Sequence, residues 1–384
     1  MSEVSSLSSE NTSYLDEMRR DLAQTAAAPA DAPRSLPGQF YTDQSFFEYE
    51  CRTVLRQNWH CAGRVDELAD IGDYLTLQLL NEPLIIVRTV EGIKALSNVC
   101  RHRGMPLVQG TGKAKRFICP YHAWSYGLDG ALLRAARMQN AGFDAKTCRL
   151  GDFACAERFG FIYVCLHEIP PNLDVELAGL ETVIGPYQAD QYRILHTATE
   201  VWKTNWKCLV ENFMEGYHLS VVHPETLRSY TPTGLNRKGP AGSGFTSYFA
   251  NYPQDIPWRG QGAPGLTDDQ RHRSVLFSAF PCQVTSVAAT LLVSLSIRPL
   301  RVDEIEVRWT LSAFGDELNE DTITQRIALW EEVNREDREK LEIMQIALSS
   351  VHATGGPLAC SDYEGTLCDF LLWLARQDAN EQPV

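Results

Sequence analysis

The sequence contains no apolar run long enough to cross a bilayer, and it has little positive charge. Its 384 residues include 35 Lys and Arg against 49 Asp and Glu, a formal charge of -14. The most apolar stretches, residues 79–87 and 291–297, fall well short of the roughly 20 residues of a membrane-spanning helix, so we expect them to be buried strands. The acidic charge repels nucleic acid and anionic membranes, which we therefore exclude as expected partners.

The first residues of the sequence do not have the pattern that is typical of a secretory leader. Residues 1–13 are polar and Ser-rich, with neither a basic start nor an apolar core, so we expect a cytoplasmic protein. The 11 cysteines are an odd number and lack the close spacing of a small disulfide-bonded domain. In a reducing compartment they are expected to be free thiols or metal ligands.

A convincing dinucleotide-binding fingerprint is absent as well. One Gly-x-Gly-x-x-Gly occurs, at Gly260, Gly262 and Gly265, but it contains Pro264 and has no strand pattern before it and no helix pattern after it. This arrangement indicates a loop. We therefore expect that this chain itself binds neither NAD nor flavin.

The chain length predicts two domains after an N-terminal tail, because single cores stop growing near roughly 250 to 300 residues. We place a tail and linker at residues 1–40, a first domain at 41–170 and a second domain at 171–384. The first domain is predicted to be all-β, because it contains short β-type runs separated by Gly and by Asn or Asp. These runs are residues 74–79, 84–87, 116–118 and 159–164.

The second domain mixes two kinds of pattern. Residues 287–297 and 304–314 have the composition of strands, whereas residues 321 to about 350 have helical periodicity. This mixture predicts an α+β domain.

Two cysteines and two histidines form a first group of metal-ligand side chains. Cys100 and His102 make a Cys-x-His unit, and after sixteen intervening residues Cys119 and His122 make a Cys-x-x-His unit. Each pair mixes one thiolate with one imidazole, which suits a Rieske [2Fe-2S] centre, where one iron takes both thiolates and the other both imidazoles. We predict that these four residues bind such a cluster.

A structural zinc ion is the alternative for the same four ligands. Zinc ribbons, however, usually draw their ligands from Cys-x-x-Cys or His-x-His units. A second Cys-x-His unit, Cys165 and His167, has no matching Cys-x-x-His at a suitable distance. We interpret it as a strand end with a buried thiol.

Two further histidines, His218 and His223, lie in a segment rich in polar and ionisable side chains. Five residues of a regular helix turn through about 500°, so the two rings would point in different directions. Pro224 changes this expectation, because a residue before proline is pushed out of the helical conformation. The helix is therefore predicted to end before His223, which lets its ring turn back toward His218.

A carboxylate that completes this site is predicted on the helix that follows residue 321. Asp337 lies on the apolar side of that helix, whereas Glu332, Glu336 and Glu339 lie off it. A buried carboxylate needs a cation or a metal, and two His with one carboxylate form the facial triad of oxygen-activating Fe(II). Pairing of Asp337 with a buried arginine is the alternative. The apolar side is defined by Ile327, Trp330, Asn334, Asp337, Leu341, Met344 and Leu348, which recur in steps of three and four.

With these motifs the chain resembles the α subunits of Rieske ring-hydroxylating and N-demethylating oxygenases, from about residue 41 onward. The resemblance implies an α+β architecture, in which an N-terminal all-β Rieske [2Fe-2S] domain precedes a helix-grip catalytic domain with a long antiparallel sheet. It also implies one cluster and one mononuclear Fe(II) per subunit, with the Fe(II) held by His218, His223 and Asp337.

The same resemblance gives Glu215 the role of carrying electrons between the metals. It would bridge to a cluster histidine of a neighbouring subunit in a head-to-tail homotrimer, and Asn212 belongs to the same catalytic motif. The electrons would come from a separate NAD(P)H-dependent reductase with flavin and iron-sulfur centres.

The residues around Glu215 favour one branch of this family. Members similar to naphthalene dioxygenase typically have Asp at the bridging position and one more residue between the Glu-Asn pair and the first His. This chain is closer to the choline, carnitine, glycine betaine and proline betaine (stachydrine) enzymes, whose substrates are quaternary amines. Such cations bind aromatic faces. A cage is predicted from a dense group of aromatic residues, each of which has an ordinary core or loop position as its alternative: Phe245, Tyr248, Phe249, Tyr252 and Trp258.

The expected function is hydroxylation of an N-methyl group of a quaternary amine with O2. The resulting carbinolamine would collapse to the demethylated amine and formaldehyde. Glycine betaine is the first expected substrate, followed by proline betaine, carnitine and choline. Two alternatives stay open: hydroxylation of an aromatic ring by the same metal sites, and a non-catalytic iron-sulfur or zinc-binding protein.

Overall fold

The computed structural model describes residues 2–138, 143–258, 260–315 and 318–379, with side chains between residues 13 and 377 of these ranges. The chain forms two compact units. The small unit is Arg56–Leu173, and the large unit joins Met1–Leu55 to Asp174–Val384. No helix in these ranges combines the length and the apolar composition that crossing a bilayer requires.

The small unit is built from short strands, as predicted. Seven strands form one antiparallel sheet in the order β1-β10-β9-β4-β3-β2-β5, and β6-β7-β8 form a second sheet. The strands are β1 (His60–Arg64), β2 (Asp73–Leu79), β3 (Glu82–Thr89), β4 (Gly92–Ser97), β5 (Thr111–Lys113), β6 (Phe117–Ile118), β7 (Ser125–Tyr126), β8 (Leu132–Arg134), β9 (Asp152–Arg158) and β10 (Phe161–Cys165).

Strand β3 shows why this stretch of sequence is apolar without interruption. Successive side chains of a strand point to opposite faces of the sheet. Leu84 and Ile86 belong to a core on one face, while Ile85 and Val87 belong to a second core on the other. That second core also contains the two cysteines of the predicted cluster site, so the metal-binding loops rest on a packed surface.

The large unit combines helices with a long antiparallel sheet, which confirms the predicted α+β class. Its strands follow the order β11-β17-β16-β15-β14-β13-β12. They are β11 (Arg193–Trp202), β12 (Asn236–Lys238), β13 (Phe245–Asn251), β14 (Arg273–Ala279), β15 (Gln283–Ala288), β16 (Leu291–Arg301) and β17 (Glu304–Ala313). The helices are α1 (Ser2–Ala26), α2 (Gln39–Thr42), α3 (Gln44–Glu50), α4 (Leu173–Glu176, which starts at the boundary), α5 (Leu180–Ile184), α6 (Trp206–Phe213), α7 (Leu219–Val222), α8 (Asp268–Arg271), α9 (Glu320–Leu348) and α10 (Ser361–Ala379).

Two predicted strands have different bounds in the structure. The strand predicted at 159–164 begins at Phe161, because Phe159 and Gly160 have φ of 54° and 77° and form the turn after β9. The strand predicted at 287–297 is divided, because a turn at residues 289–290 separates β15 from β16.

Helix α9 corresponds to the helix predicted from residue 321. It begins after Asn319, whose side chain accepts a hydrogen bond from the N–H of Thr322. Met344, which was predicted to face inward, is 40% exposed, and Gln345 is buried in its place. A helix repeats every 3.6 residues, so the step of four from Leu341 keeps the inward direction at this point. The buried residues of α9 are Trp330, Val333, Asn334, Asp337, Leu341 and Gln345.

The N-terminal segment is part of the large unit. Helix α1 packs against α10. The N–H of Ser35 donates to the carbonyl of Gly356, and the N–H of Leu358 donates to the carbonyl of Pro33, both at 2.9 Å, so the last part of the stretch predicted as a linker is held by backbone hydrogen bonds. Residues 41–55 also lie in this unit, because α2 packs on α9 and α3 packs on α2. The sequence-based boundaries had placed them with the first domain.

Candidate metal centres and active site

Two loops of the small unit carry the predicted cluster ligands. Cys100 and His102 follow β4, and Cys119 and His122 lie between β6 and β7. Both loops have the same hydrogen bonds: the cysteine N–H donates to the carbonyl five residues later, and the cysteine carbonyl accepts from the N–H four residues later. The residue at this fourth position has positive φ, 76° in the first loop and 57° at Ala123 in the second. Each loop therefore turns back over its own cysteine.

The thiols and imidazoles of these loops differ in their exposure. Cys100 and Cys119 are both 2% exposed, whereas His102 is half-buried and His122 is exposed. The Nδ1 atoms of the two histidines are 3.2 Å apart, so both nitrogens can coordinate the same metal ion. Two buried thiols beneath two converging imidazoles fit the donor set of a Rieske cluster.

Aromatic side chains hold two of these ligands in position. The ring of Trp124 stacks on that of His102, with centroids 5.0 Å apart and an interplanar angle of 11°. The hydroxyl of Tyr126 lies 3.3 Å from Sγ of Cys100. Burial, reinforced by this sulfur, raises the pKa of the Tyr126 phenol. The hydroxyl therefore keeps its proton and can donate a hydrogen bond to the thiolate form of Cys100.

The predicted iron ligands lie where the helical segment is interrupted. Helix α6 ends at Phe213, residues 214–218 are not helical, and α7 begins at Leu219. His218 and His223 therefore flank the short helix α7 and do not share one long helix, which corrects the continuous helix expected through His218. The helix end before His223 is confirmed.

Contacts with distant parts of the large unit produce this interruption. The N–H of Gly216 donates to the carbonyl of Tyr363 at 3.2 Å, and Nδ2 of Asn236 donates to the Gly216 carbonyl at 2.9 Å. A Cβ at residue 216 would lie 2.1 Å from that nitrogen. Only glycine fits this approach, so the break depends on tertiary contacts that local periodicity does not reveal.

The structure brings His218, His223 and Asp337 together. Each offers one ligand atom, and these atoms all lie within 4.8 Å of one another. The Nε2 atoms of His218 and His223 are 3.7 and 3.2 Å from Oδ1 of Asp337. The side chains of His223 and Asp337 are 1% and 11% exposed, so the triple is nearly closed to solvent.

Carboxylates bind the other ring nitrogen of each histidine. Nδ1 of His218 is hydrogen-bonded to Oε1 of Glu215, and Nδ1 of His223 is 2.7 Å from Oε2 of Glu336. An ionised carboxylate only accepts, so each Nδ1 carries the proton and each Nε2 keeps its lone pair. The residues present therefore fit a mononuclear metal ion bound through both Nε2 atoms and Asp337.

The electrostatics of the site favour a cation. Burial lowers the pKa of His218, but Glu215 and Asp337 outweigh this effect and the pKa is raised. Burial also lowers the pKa of His223, and Asp337 and Glu336 again raise it above its usual value. Three carboxylates around the buried imidazole of His223 and the partly buried imidazole of His218 make an environment that stabilises positive charge.

Asn212 lies beside the same triple. Its Nδ2 donates to Oδ1 of Asp337 at 3.3 Å, while its buried Oδ1 has no hydrogen-bond partner among the residues that the structure describes. An unsatisfied buried oxygen costs about 1–3 kcal/mol. This arrangement fits a site in which the Asn212 oxygen accepts a hydrogen bond from a bound molecule and not from the protein chain.

Glu336 belongs to the site, although helical periodicity places it off the inward side of α9. Its carboxylate binds His223 and also accepts from Oγ1 of Thr226 at 2.7 Å, and its side chain is 12% exposed. The single signal in the sequence that could have indicated this role is its position next to Asp337.

A cavity of the large unit adjoins the triple. Thr226, which donates to Glu336, lines this cavity, and so does Leu219, the residue after His218. The rings of two of its tyrosines, Tyr230 and Tyr252, have centroids 4.3 Å apart. The aromatic residues that line the cavity are Tyr230, Tyr248, Tyr252 and Trp330.

The residues of the predicted aromatic cage are divided between this cavity and other parts of the large unit. Tyr248 and Tyr252 belong to it, but Phe245, Phe249 and Trp258 do not. Side chains alternate along β13, so Phe245 and Phe249 lie on the face opposite Tyr248. The centroid of the Phe249 ring lies 4.1 Å from the guanidinium of Arg273 in β14. Trp258 packs 5.1 Å from the guanidinium of Arg271, at the end of α8.

Two family descriptions match this chain. Residues 58–149 match the Rieske [2Fe-2S] domain, and residues 186–379 match the catalytic domain of the ring hydroxylating alpha subunit. These matches confirm the predicted cofactors, one [2Fe-2S] cluster and one mononuclear iron. The Rieske match spans all four residues of the Cys and His ligand group, so it favours the cluster over the zinc alternative.

Curated oxygenase subunits are similar to this chain. The glycine betaine monooxygenase oxygenase subunit of Chromohalobacter salexigens is 37% identical over 260 residues, which cover 64% of this chain and 58% of that protein. The carnitine monooxygenase oxygenase subunit of Escherichia coli strain K12 is 35% identical over 195 residues, which cover 50% and 52%. The matched part of the chain thus spans only somewhat more than half the length of these relatives.

The fold is similar to that of a quaternary ammonium Rieske monooxygenase, whose structure was described in relation to carnitine oxidation by gut microbiota and inter-subunit electron transfer. The TM-score is 0.83 at 23% identity, and the match covers 92% of this chain and 98% of that one. This similarity confirms the predicted order of a Rieske domain followed by a helix-grip domain.

Replacing Asp337 tests the composition of the iron site. We expect Asp337→Ala to lose the mononuclear iron, because two imidazoles alone bind it weakly, while the visible spectrum of the [2Fe-2S] cluster is retained. Iron and sulfide analysis together with the absorption spectrum measure this. Glu331→Ala, on the exposed side of the same helix, is the control. Equal loss of both metals, or full iron occupancy, would contradict the assignment.

Glu336 provides a separate test of how His223 is oriented. We expect Glu336→Ala to weaken Fe(II) binding by about 10- to 100-fold, the usual effect of losing a carboxylate behind a ligating histidine. Glu336→Gln, which keeps an acceptor, should have a smaller effect. Competition with a chromophoric Fe(II) chelator measures the affinity. Glu332→Ala, at a carboxylate 44% exposed, should behave as wild type, and unchanged affinity in Glu336→Ala would rule out this role.

Proposed function

Because the chain belongs to the family of ring-hydroxylating oxygenase alpha subunits that carry a Rieske domain, we propose that it is the terminal oxygenase of a cytoplasmic monooxygenase system acting on a quaternary amine. One N-methyl group is hydroxylated with O2 and leaves as formaldehyde. Glycine betaine is the first candidate, followed by proline betaine, carnitine and choline. The observation that carries this proposal is the aromatic cavity that adjoins His218, His223 and Asp337.

The composition of the cavity supports this class of substrate. A quaternary ammonium cannot donate hydrogen bonds, and aromatic rings are the protein groups that attract it without one. Three tyrosines and one tryptophan line the cavity. The curated relatives are named for glycine betaine and carnitine, which are both quaternary amines.

The chain's own residues prepare the reaction in two ways. Glu215 and Glu336 accept hydrogen bonds from the Nδ1 atoms of the two histidines, which keeps both Nε2 atoms turned toward Asp337. The bound iron supplies the activation of O2. The aromatic walls surround the onium group and exclude water, so that one N-methyl carbon is held toward the triple. Overall, O2, two electrons and two protons convert the substrate to the demethylated amine, formaldehyde and water.

The proposal includes the route by which the electrons arrive. A separate NAD(P)H-dependent reductase with flavin and iron-sulfur centres supplies them to the cluster. In a head-to-tail homotrimer the cluster histidine of a neighbouring subunit approaches Glu215, which passes the electron on. The hydrogen bond between Nδ1 of His218 and the carboxylate of Glu215 supports this route, because it connects Glu215 directly to a proposed iron ligand.

A single turnover without the reductase tests the proposed reaction. Metal-loaded protein is reduced with dithionite, freed of reductant, and mixed with O2 and one compound at a time. We expect formaldehyde from glycine betaine, proline betaine, carnitine or choline, and none in His223→Ala. Ring hydroxylation of an added aromatic acid, with no formaldehyde from any amine, would replace the proposal by aromatic-ring hydroxylation.

Glu215 can be tested in the same experiment. We expect Glu215→Gln to retain both metals but to slow the substrate-dependent reoxidation of the reduced cluster by orders of magnitude, because the route between the metals loses its carboxylate. Stopped-flow absorbance of the cluster measures this rate. Glu225→Gln, at an exposed position beyond His223, is the control. Reoxidation at the wild-type rate in Glu215→Gln would exclude the bridging role.

A further inference from the structure

The positive charge of this acidic chain is concentrated on the segment that carries the cluster ligands. Residues 101–150 contain nine Lys and Arg but only two Asp and no Glu, a formal charge of +7, whereas the whole chain has a formal charge of -14. Charge concentrated on one surface attracts a partner of opposite charge and speeds its association. The cluster segment therefore differs in its electrostatics from the rest of the protein.

Most of these cations are exposed and are not neutralised within the fold. Lys113 is paired, because its Nζ lies 2.7 and 3.5 Å from carboxylate oxygens of Asp70 and Asp73. The others are all exposed, and none of them forms an ion pair with a carboxylate in the part of the chain that the structure describes. Their charge is available to a partner. They are Arg101, Arg103, Lys115, Arg116, Arg134, Arg137, Lys146 and Arg149.

An open groove of the small unit leads to the cluster site. Its volume is about 500 Å³, and it is lined by Trp124 and Arg101 together with residues 143–144 and 147–152. The indole of Trp124 stacks on the imidazole of His102, with centroids 5.0 Å apart. A group bound in this Trp124 groove would therefore be connected to a cluster ligand by a single aromatic ring.

The excess positive charge lies at the rim of the Trp124 groove. Inside it the charges are balanced, since two Arg and two Asp line it. Lys146 is flanked in sequence by lining residues, and Arg134 of β8 pairs with the residue after Trp124. A partner that enters the groove meets these cations, so an acidic contact face is favoured.

We propose that the Trp124 groove is the docking site of the electron donor, and that the contact face of this donor is acidic. The inference rests on the proposed function, in which a separate reductase supplies the electrons. One electron passes from the reduced iron-sulfur centre of the donor to the oxidised cluster, and no bond forms or breaks. In the proposed route electrons leave through a cluster histidine toward Glu215 of a neighbouring subunit. The groove approaches His102 at its ring face, so the donor has a separate entrance.

Reduction of the cluster by a protein donor tests the electrostatic part of this inference. The probe is a reduced plant-type ferredoxin with an acidic surface, whose potential lies below that of Rieske clusters. Stopped-flow absorbance of the oxidised, metal-loaded protein gives the second-order rate constant. We expect Arg134→Gln/Lys146→Gln to lower this constant about tenfold in about 0.02 M salt and to match wild type in about 0.5 M salt, because salt screens surface charge.

Two controls separate docking from other effects of charge. Arg335→Gln/Lys340→Gln makes the same change in net charge at exposed positions of α9 and should match wild type. The methyl viologen radical cation should not reduce Arg134→Gln/Lys146→Gln more slowly than wild type, because the native surface repels a cation. Equal slowing with ferredoxin and methyl viologen would mean a changed cluster and would overturn the inference, as would a wild-type ferredoxin rate in this variant.

Steric closure of the groove provides a test without a change of charge. Thr147 lines the groove at an exposed position. We expect Thr147→Trp to slow reduction by ferredoxin about tenfold at both salt concentrations, since the added ring obstructs the partner, while methyl viologen and the control Thr147→Ser react at wild-type rates. A Thr147→Trp protein that ferredoxin reduces normally would exclude the groove as the docking site.

A second copy of the chain is the other possible occupant of this surface. If the rim cations join copies of the chain, Arg134→Gln/Lys146→Gln will dissociate the oligomer in size-exclusion chromatography with light scattering and leave the ferredoxin rate unchanged, which overturns the inference. The proposed substrate class is judged separately, because formaldehyde release after dithionite reduction needs no protein donor. Absence of formaldehyde would refute that class alone, whereas normal formaldehyde with unchanged ferredoxin rates in both groove variants would refute the docking site alone.

Discussion

Two hydrogen bonds, each joining a carboxylate to a histidine Nδ1, determine what the large unit can bind. They fix the tautomer and the direction of His218 and His223, so that both Nε2 atoms meet at Asp337. Without them each ring could rotate or accept a second proton, and the three ligands would no longer converge. The interruption between α6 and α7 and the position of α9 both serve to bring these carboxylates within reach.

A buried polar network keeps α6 and α9 in that arrangement. The side chain of Gln345 on α9 accepts from the N–H of Asn205 at 2.8 Å and donates to the carbonyl of Tyr41 at 3.0 Å. At the start of α6, the ammonium of Lys207 lies 2.8 Å from both oxygens of Glu50, with both side chains almost fully buried. Removing one partner of such a pair costs about 3–5 kcal/mol. The network therefore connects α3 with α6 through Glu50 and Lys207, and the start of α6 with α9 through Asn205 and Gln345.

The sequence predicts those parts of the site that depend on local pattern. Ligand spacing indicates the cluster site, Pro224 indicates the helix end at His223, and the periodicity of α9 indicates Asp337. The break at Gly216 could not be predicted, since it depends on Tyr363, which is more than a hundred residues away, and on Asn236. The role of Glu336 could not be predicted either, because a residue beside the inward face reaches the site only where the segment after α7, with His223 and Thr226, lies against it. The position of Phe245 and Phe249 away from the cavity could not be predicted, because a list of aromatic residues does not state which face of a strand each one occupies.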